Sequence, residues 1–190
     1  AGITDGGWTM LRYALLRTVL DPLLAVAGDE GLVRLEFLPR AYQYHIHAHA
    51  VARSLGDEPG LVEDDASFEP LRSQLAEYFT GRRETFDLQL DPHGTPFQAA
   101  VWRRLLAIPC GKLRTYEQVA AEIRRPSAVR AVGQAVGQNP LPILIPCHRV
   151  VGSDGALVGF AGGLSVKAQL LRLEGHTLGD SPRLEPPQLF

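Results

Sequence analysis

Cysteine is scarce in this chain: Cys110 and Cys147 are the only two among 190 residues. Two cysteines cannot build a disulfide framework, and they are too few for a cysteine-only zinc site. Their scarcity fits a reducing, intracellular setting, so a cytoplasmic protein is expected. Long apolar runs are missing too, and no stretch approaches the length needed to span a membrane. Residues 11–27 carry Arg12 and Arg17 ahead of apolar side chains. Asp21 and Pro22 interrupt the run and no clear cleavage site follows, so it is not read as a signal sequence. Methionine occurs once, at Met10, and residues 1–9 ahead of it are given no role. What remains is ordinary: 45% hydrophobic and 21% charged residues describe a folded chain, long enough for one or two domains.

The net charge of −2 hides an asymmetry. Residues 1–100 hold 8 Lys or Arg against 15 Asp or Glu, whereas residues 101–150 hold 8 against 2. An acidic front joined to a basic segment suggests a local contact with a polyanion. On charge alone, a solvated arginine-rich surface is the simpler explanation.

The pattern along the chain predicts an α+β fold. Residues 23–27 and 32–37 are apolar runs around Gly28-Asp29-Glu30-Gly31, a hairpin signal. Helices are expected at 41–55 and 67–79, a polar loop between them at 56–66, and a strand at 85–90. These make an N-terminal domain over residues 10–90, a small antiparallel sheet with helices. Residues 91–94 form a turn, and a mostly helical C-terminal domain is expected over 91–178. Its helices are placed at 95–106, 115–123, 126–138 and 164–174. Thr115-x-x-Gln118 has capping-box form, and Pro126 suits a first helical turn. The two middle helices, joined by a tight link, form a helix-turn-helix. Residues 179–190, rich in proline, are expected to be loosely ordered.

Cys147 is the candidate nucleophile. A thiolate attacks, not a thiol, so a reactive cysteine needs a base or a positive field. His148 and Arg149 follow it directly. In an extended segment neighbouring side chains point to opposite sides, so His148 is expected to reach the sulfur through a water or a backbone bend. An isolated Cys-His pair is more often a buried structural cysteine beside a surface histidine. The second helix of the pair is rich in small residues, Ala128, Ala131, Gly133, Ala135 and Gly137, and carries Arg130. Small side chains allow close approach to a groove or to another backbone. His45 and His49 stand four apart on a predicted helix, with His47 between them. No carboxylate completes a hydrolase pattern there, and no metal is assigned.

The ordered set of motifs is more specific than any member. Pro146-Cys147-His148-Arg149-Val150 is preceded by Asn139-Pro140 and followed by Gly162-Gly163-Leu164 and Glu174-Gly175-His176. Upstream stand Thr95-Pro96-Phe97-Gln98, Val101-Trp102, Ile108-Pro109-x-Gly111, Thr115-Tyr116 and Arg130-Ala131-Val132-Gly133. Over residues 91–176 the chain resembles the O6-alkylguanine-DNA alkyltransferase family. The front half is compatible with that family's variable N-terminal domain without identifying it.

The resemblance implies direct-reversal DNA repair. Cys147 attacks the alkyl carbon on guanine O6 and keeps it as a thioether, so each molecule acts once. His148 is the base, and Glu174 orients its ring and favours its protonated form. Tyr116 donates to the leaving base, Lys167 supports that base and the cysteine loop, and Asn139 ties the recognition helix to the loop. Arg130, Ala128, Ala131, Gly133, Thr115 and Arg149 are expected at the DNA, with Arg130 filling the stack of a base flipped out through the minor groove. Leu157, Val158, Gly159, Phe160, Ala161, Gly162 and Pro142 are expected to line the base pocket. No cofactor, metal or membrane is implied. The partner is double-stranded DNA carrying alkylated bases, bound by a monomer that can cluster on DNA.

Three departures stand out. Phe160 and Ala161 occupy positions where many relatives have Tyr and Ser, which leaves alkyl size and O4-alkylthymine adducts open. Arg125 sits where a helix cap is expected, and Cys110 stands in the Ile-Pro-x-Gly turn. Competing readings are a non-transferring lesion sensor of the same fold, a transcription regulator and a turnover cysteine hydrolase. An intact Cys147-His148 argues against the sensor, and the small-faced helix offers few base-reading side chains for a regulator. No oxyanion site supports a hydrolase.

Overall fold

The computed structural model describes residues 10–38, 43–56 and 60–179. The chain divides into two compact units, residues 1–93 and 94–190.

In the first unit, strands β1 (Met10–Leu16), β2 (Leu23–Ala27) and β3 (Leu32–Phe37) are followed by helix α1 (Tyr44–Leu55), strand β4 (Gly60–Glu63) and helix α2 (Glu69–Phe79). The sheet order is β3-β2-β1-β4. The β2–β3 hairpin forms as the Gly-Asp-Glu-Gly signal predicts, and Gly28 N–H donates to the Gly31 carbonyl at 2.9 Å. The expected antiparallel sheet is corrected to a mixed one. β1 pairs antiparallel with β2 but parallel with β4, Leu11 lying opposite Leu61. The α1 crossover returns the chain in the direction of β1, as a parallel pair requires. β4 falls inside the stretch read as a polar loop, where four residues with an acidic end give no clear alternation. The expected strand at 85–90 is reduced to one isolated bridge, Leu32 with Leu90. Gly31 holds φ +145°, and a Cβ there would lie 2.5 Å from the Gln89 carbonyl oxygen, so the two backbones meet too closely for a side chain. Ala48, Val51 and Ala52 of α1 pack on Leu11, Tyr13, Leu24 and Val26 of the sheet.

In the second unit, helix α3 (Pro96–Leu106) leads to strand β5 (Arg114–Thr115), helices α4 (Tyr116–Glu122) and α5 (Val129–Gly137), strand β6 (Val150–Val151) and helix α6 (Gly163–Leu173). Thr95 and Thr115 each cap a helix with a complete capping box, closed by Gln98 and Gln118. α3 and α4 both pack on α5, and the Trp102 indole N–H donates to the Ala135 carbonyl at 2.8 Å. α5 begins at Val129, not at Pro126. Proline pushes the residue before it out of helical conformation. Residues 126–127 are accordingly spent on a turn that closes with Ala128 N–H on the Arg125 carbonyl, so Arg125 is not the cap. Among the described residues, no helix is long and apolar enough to cross a membrane. Residues 1–9, and 180–190 of the expected tail, lie outside the described residues.

Candidate active site

The chain leaves α5 at Gln138 and turns into a buried loop. Asn139 anchors it at both ends: its Nδ2 donates to the Ile145 carbonyl at 2.8 Å, and its Oδ1 accepts from Leu141 N–H at 3.0 Å. Ile143, buried in this loop, holds φ +74°, a costly conformation for a β-branched residue and one concentrated at functional sites. The loop delivers Cys147 into a short 3-10 turn, Cys147–Arg149, rather than the extended segment expected. A turn of this kind places consecutive side chains about 120° apart, and Cys147, His148 and Arg149 are all buried.

His148 Nε2–H donates to Glu174 Oε1 at 2.9 Å, and both side chains are buried. Arg149 Nε–H reaches Glu174 Oε2 at 2.9 Å and Oε1 at 3.2 Å, while Nη2 reaches Oε1 at 2.8 Å. The remaining Arg149 nitrogen, Nη1, donates to the Ile108 carbonyl at 2.6 Å. Gly111 N–H donates to Glu174 Oε2 at 3.2 Å. Gly111 holds φ +70°, which a side chain would strain, and so the turn after α3 becomes part of the site. Lys167, fully buried on α6, donates from Nζ to the Val150 carbonyl at 2.6 Å and to the Val158 carbonyl at 2.9 Å. It ties the strand after the cysteine to the loop at residues 157–161.

Electrostatics follow from burial and these partners. Burial pushes the Cys147 thiol up, while a hydrogen bond with the Asn139 side chain and the Lys167 ammonium act to lower it. Burial also opposes charge on His148 and holds it below the usual histidine range, although Glu174 pulls upward. Glu174 does favour the protonated ring, as expected, but desolvation outweighs the carboxylate. Burial alone would raise Glu174, but the hydrogen bonds and charges of His148 and Arg149 win and hold it well below the usual carboxylate range. Burial lowers Lys167 to about 8. Burial, with Cys147 adding to it, raises Tyr116 to about 12, so its hydroxyl stays protonated.

A cleft of about 500 Å³ opens in the same unit, a size typical of small-ligand sites. Its walls are Tyr116, the face of α5 carrying Val129, Arg130, Gly133 and Gly137, and the loop Val158, Gly159, Phe160 and Ala161. Tyr116 Oη donates to the Val158 carbonyl at 3.2 Å. Phe160 stands edge-on to the His148 ring, with centroids 6.4 Å apart. Arg130 and Ala131 are exposed, and Ala128 and Gly133 are half-exposed.

Several expected site residues lie elsewhere. Arg149 is not on a DNA-facing surface, since its guanidinium is buried on Glu174 and Ile108. Thr115 is buried, and its hydroxyl accepts from Gln118 N–H to start α4. Leu157 belongs to the core with Leu113, Val151, Ala168 and Leu171 rather than to the cleft wall. Pro142 is buried in the Asn139 loop, and Gly162 serves as the N-cap of α6. The sequence reading misses Ile108 and Gly111 as partners of the site, and Val129 and Gly137 as cleft residues. The spacing of Val129, Gly133 and Gly137, four apart, is the signal that marks one helical stripe. His45 meets the Tyr13 hydroxyl at 2.9 Å through Nδ1. Among the described residues, no three His, Cys, Asp or Glu side chains gather as metal ligands.

Residues 96–176 match the family described as 6-O-methylguanine DNA methyltransferase, DNA binding domain, and residues 11–92 match its ribonuclease-like domain. A methylated-DNA–protein-cysteine methyltransferase of Methanosarcina barkeri is 42% identical over 168 residues, 88% of this chain and 99% of that protein. One from Mycobacterium bovis is 37% identical, over 87% of this chain and 93% of its own length. The crystal structure of Mycobacterium tuberculosis O6-methylguanine methyltransferase superposes with a TM-score of 0.74 at 38% identity, covering 87% of this chain and 93% of that one. The Mycobacterium tuberculosis protein in complex with DNA superposes with a TM-score of 0.71 at 37% identity, covering 87% and 92%.

Proposed function

The chain belongs to the 6-O-methylguanine DNA methyltransferase family, and from that premise we propose that Cys147 is the atom-accepting residue of its repair reaction. The protein is a DNA-binding methylated-DNA–protein-cysteine methyltransferase that repairs DNA by direct reversal. The observation that carries the assignment is the buried His148–Glu174 pair, with His148 Nε2–H committed to the carboxylate, on the same short turn as the buried, free Cys147. That leaves Nδ1 as the lone pair of the neutral ring, and Nδ1 is buried without a protein partner among the described residues.

In the reaction, Nδ1 takes the thiol proton through one water molecule. The sulfur attacks the alkyl carbon in line, the S–C bond forms, and the C–O6 bond breaks with its electron pair passing to the base. Tyr116, whose raised pKa keeps its proton at neutral pH, donates to the base as charge develops there. Lys167 steadies the strand after the sulfur and the 157–161 loop, and Asn139 holds the turn that carries the sulfur. The thioether has no facile leaving step, so each molecule turns over once.

A buried sulfur requires the alkylated base to leave the duplex, which costs a few kcal/mol and least for a weakened pair. The cleft beside α5 receives it. Arg130 fills the vacated stack, and Ala128, Ala131 and Gly133 let the helix lie close in the minor groove. The protein works in the cytoplasm as a monomer, clustering along DNA, and O4-alkylthymine is a second substrate to be tried. Intact-protein mass spectrometry after mixing with a duplex carrying one O6-methylguanine tests the assignment. A gain of about 14 Da, one methylene, is expected for wild type and Cys110→Ser and not for Cys147→Ser. Binding without any mass gain would favour the lesion-sensor reading.

A further inference from the structure

We propose that Arg149 is a positioning residue for alkyl transfer: by sharing one oxygen of Glu174 with His148, it keeps the carboxylate charged and the imidazole neutral, ready to take the Cys147 proton. The inference rests on Cys147 being the acceptor.

Glu174 Oε1 accepts from three N–H groups at once, His148 Nε2 at 2.9 Å and Arg149 Nη2 and Nε at 2.8 and 3.2 Å. Oε2 accepts from Arg149 Nε and Gly111 N. The carboxylate is 1% exposed and the His148 side chain 0% exposed. A carboxylate so deeply buried with a histidine as its sole partner has two ways to shed the cost of its charge. It can take a proton itself, or it can hold the ring as imidazolium. The first removes the acceptor that fixes Nε2–H and thereby the free lone pair on Nδ1. The second fills Nδ1 with a proton. Either way His148 can no longer accept from the thiol.

A permanent cation on the same oxygen blocks both routes. Guanidinium does not lose its proton in proteins, so it stabilises the anion at every working pH. It also repels a second positive charge on the ring. Its planar fork spans both carboxylate oxygens while Nη1 stays on the Ile108 carbonyl, a set that a lysine point charge cannot reproduce. The other charged group acting on His148 is Lys167 on α6; Cys147 stands beside it on the same turn, and Tyr116 on α4 acts on Cys147. The turn after α3 reaches the pair with a carbonyl and an N–H, and Phe160 presents an apolar edge. Lys167 acts on the ring in the same direction as Arg149, but it is held on the Val150 and Val158 carbonyls and makes no bond to Glu174 among its hydrogen bonds.

The test is the pH dependence of single-turnover methyl transfer from an O6-methylguanine duplex to Cys147, read by mass across about pH 5 to 9, for wild type, Arg149→Met and Arg149→Lys. The wild-type acid limb is expected below about 6.5, the ordinary histidine value. Arg149→Met is expected to move that limb up by about one pH unit, a further tenfold loss of rate at its acid side. Arg149→Lys keeps the charge without the fork, so it slows transfer but leaves the limb near the wild-type position. A uniform loss across the whole pH range in Arg149→Met, with no movement of the limb, overturns the role and leaves a structural ion pair. Should Arg149→Met fail to fold by circular dichroism, the wild-type limb and Arg149→Lys decide: a wild-type limb at or above the ordinary histidine value, or a displaced limb in Arg149→Lys, overturns it. Transfer to Cys147 with an unmoved limb refutes Arg149 alone, whereas no transfer to Cys147 in wild type refutes the acceptor assignment and this inference together.

Discussion

Gly133→Ala should separate stability from DNA repair. Gly133 lies inside α5, where glycine is less favourable than alanine by about 0.8–1 kcal/mol. A Cβ built there meets nothing closer than Tyr116 Cδ1 and Cε1, both at 3.9 Å, an ordinary van der Waals distance. Nothing in the folded chain therefore penalises the methyl group, and the substitution should stabilise the unit of residues 94–190 by about 1 kcal/mol. For a domain of this size that is roughly 4–8 °C in Tm. Yet Gly133 is part of the cleft wall, on the same face as Arg130. A methyl group there stands between the helix backbone and whatever the helix approaches. A steric cost of about 1–2 kcal/mol at that contact lowers the transfer rate at subsaturating DNA about tenfold. Urea denaturation followed by Trp102 fluorescence, in a Trp8→Phe background, reads the first effect, and single-turnover methyl transfer reads the second. A more stable variant with unchanged transfer would show that glycine is not kept for close approach. A less stable variant would show that the packing of α5 is misjudged.

Three further outcomes follow from the buried contacts. Asn139→Ala strips the partners of the Ile145 carbonyl and the Leu141 N–H, and should cost about 2–4 kcal/mol in chemical denaturation while slowing transfer, because the Cys147 hydrogen bond goes with it. Trp102→Phe leaves the Ala135 carbonyl, in the last turn of α5, without its donor and should cost about 2 kcal/mol, with urea unfolding as the measure. Burial lowers Lys167 to about 8 in the folded chain, against 10.5 for an exposed lysine. Between those values the unfolded chain binds more protons, so stability rises with pH and recovers about 3 kcal/mol by the upper one. In a Cys147→Ser background the urea midpoint should climb from about pH 8 to 10, and the same series in Lys167→Met should be flat.

Local features were readable because their causes lie within a few residues. The capping box at Thr115 closes over three positions, and the structure makes the reciprocal hydrogen bonds that its letters imply, as it also does at Thr95. The β2–β3 hairpin is likewise written in its turn. β1 and β4 were harder, because neither strand carries a decisive pattern of its own. Leu11, Tyr13, Ala14 and Leu16 of β1 are all buried, so alternation is lost, and β4 is a four-residue edge whose place depends on β1. The candidate site shows the same boundary. The family resemblance marked Cys147, His148, Glu174, Lys167 and Asn139, which the fold brings together. The pairings themselves are long-range, with His148 and Glu174 26 residues apart and Gly111 and Glu174 63 apart.

Two arginines make the point in physical terms. Arg130 and Arg149 look equivalent in a basic segment, and both suit a phosphate. Arg130 follows Val129 at the exposed start of α5 and is left to solvent and the cleft. Arg149 ends the buried turn that begins at Cys147, where a bare guanidinium would be prohibitively costly without a carboxylate. Glu174 supplies that carboxylate from the far end of α6, against the preference of a helix C-terminus for positive charge. A glutamate in so unfavourable a local position must draw its stability from somewhere else in the fold. That misfit, more than the arginine, is what the sequence offers as a sign of the buried pair.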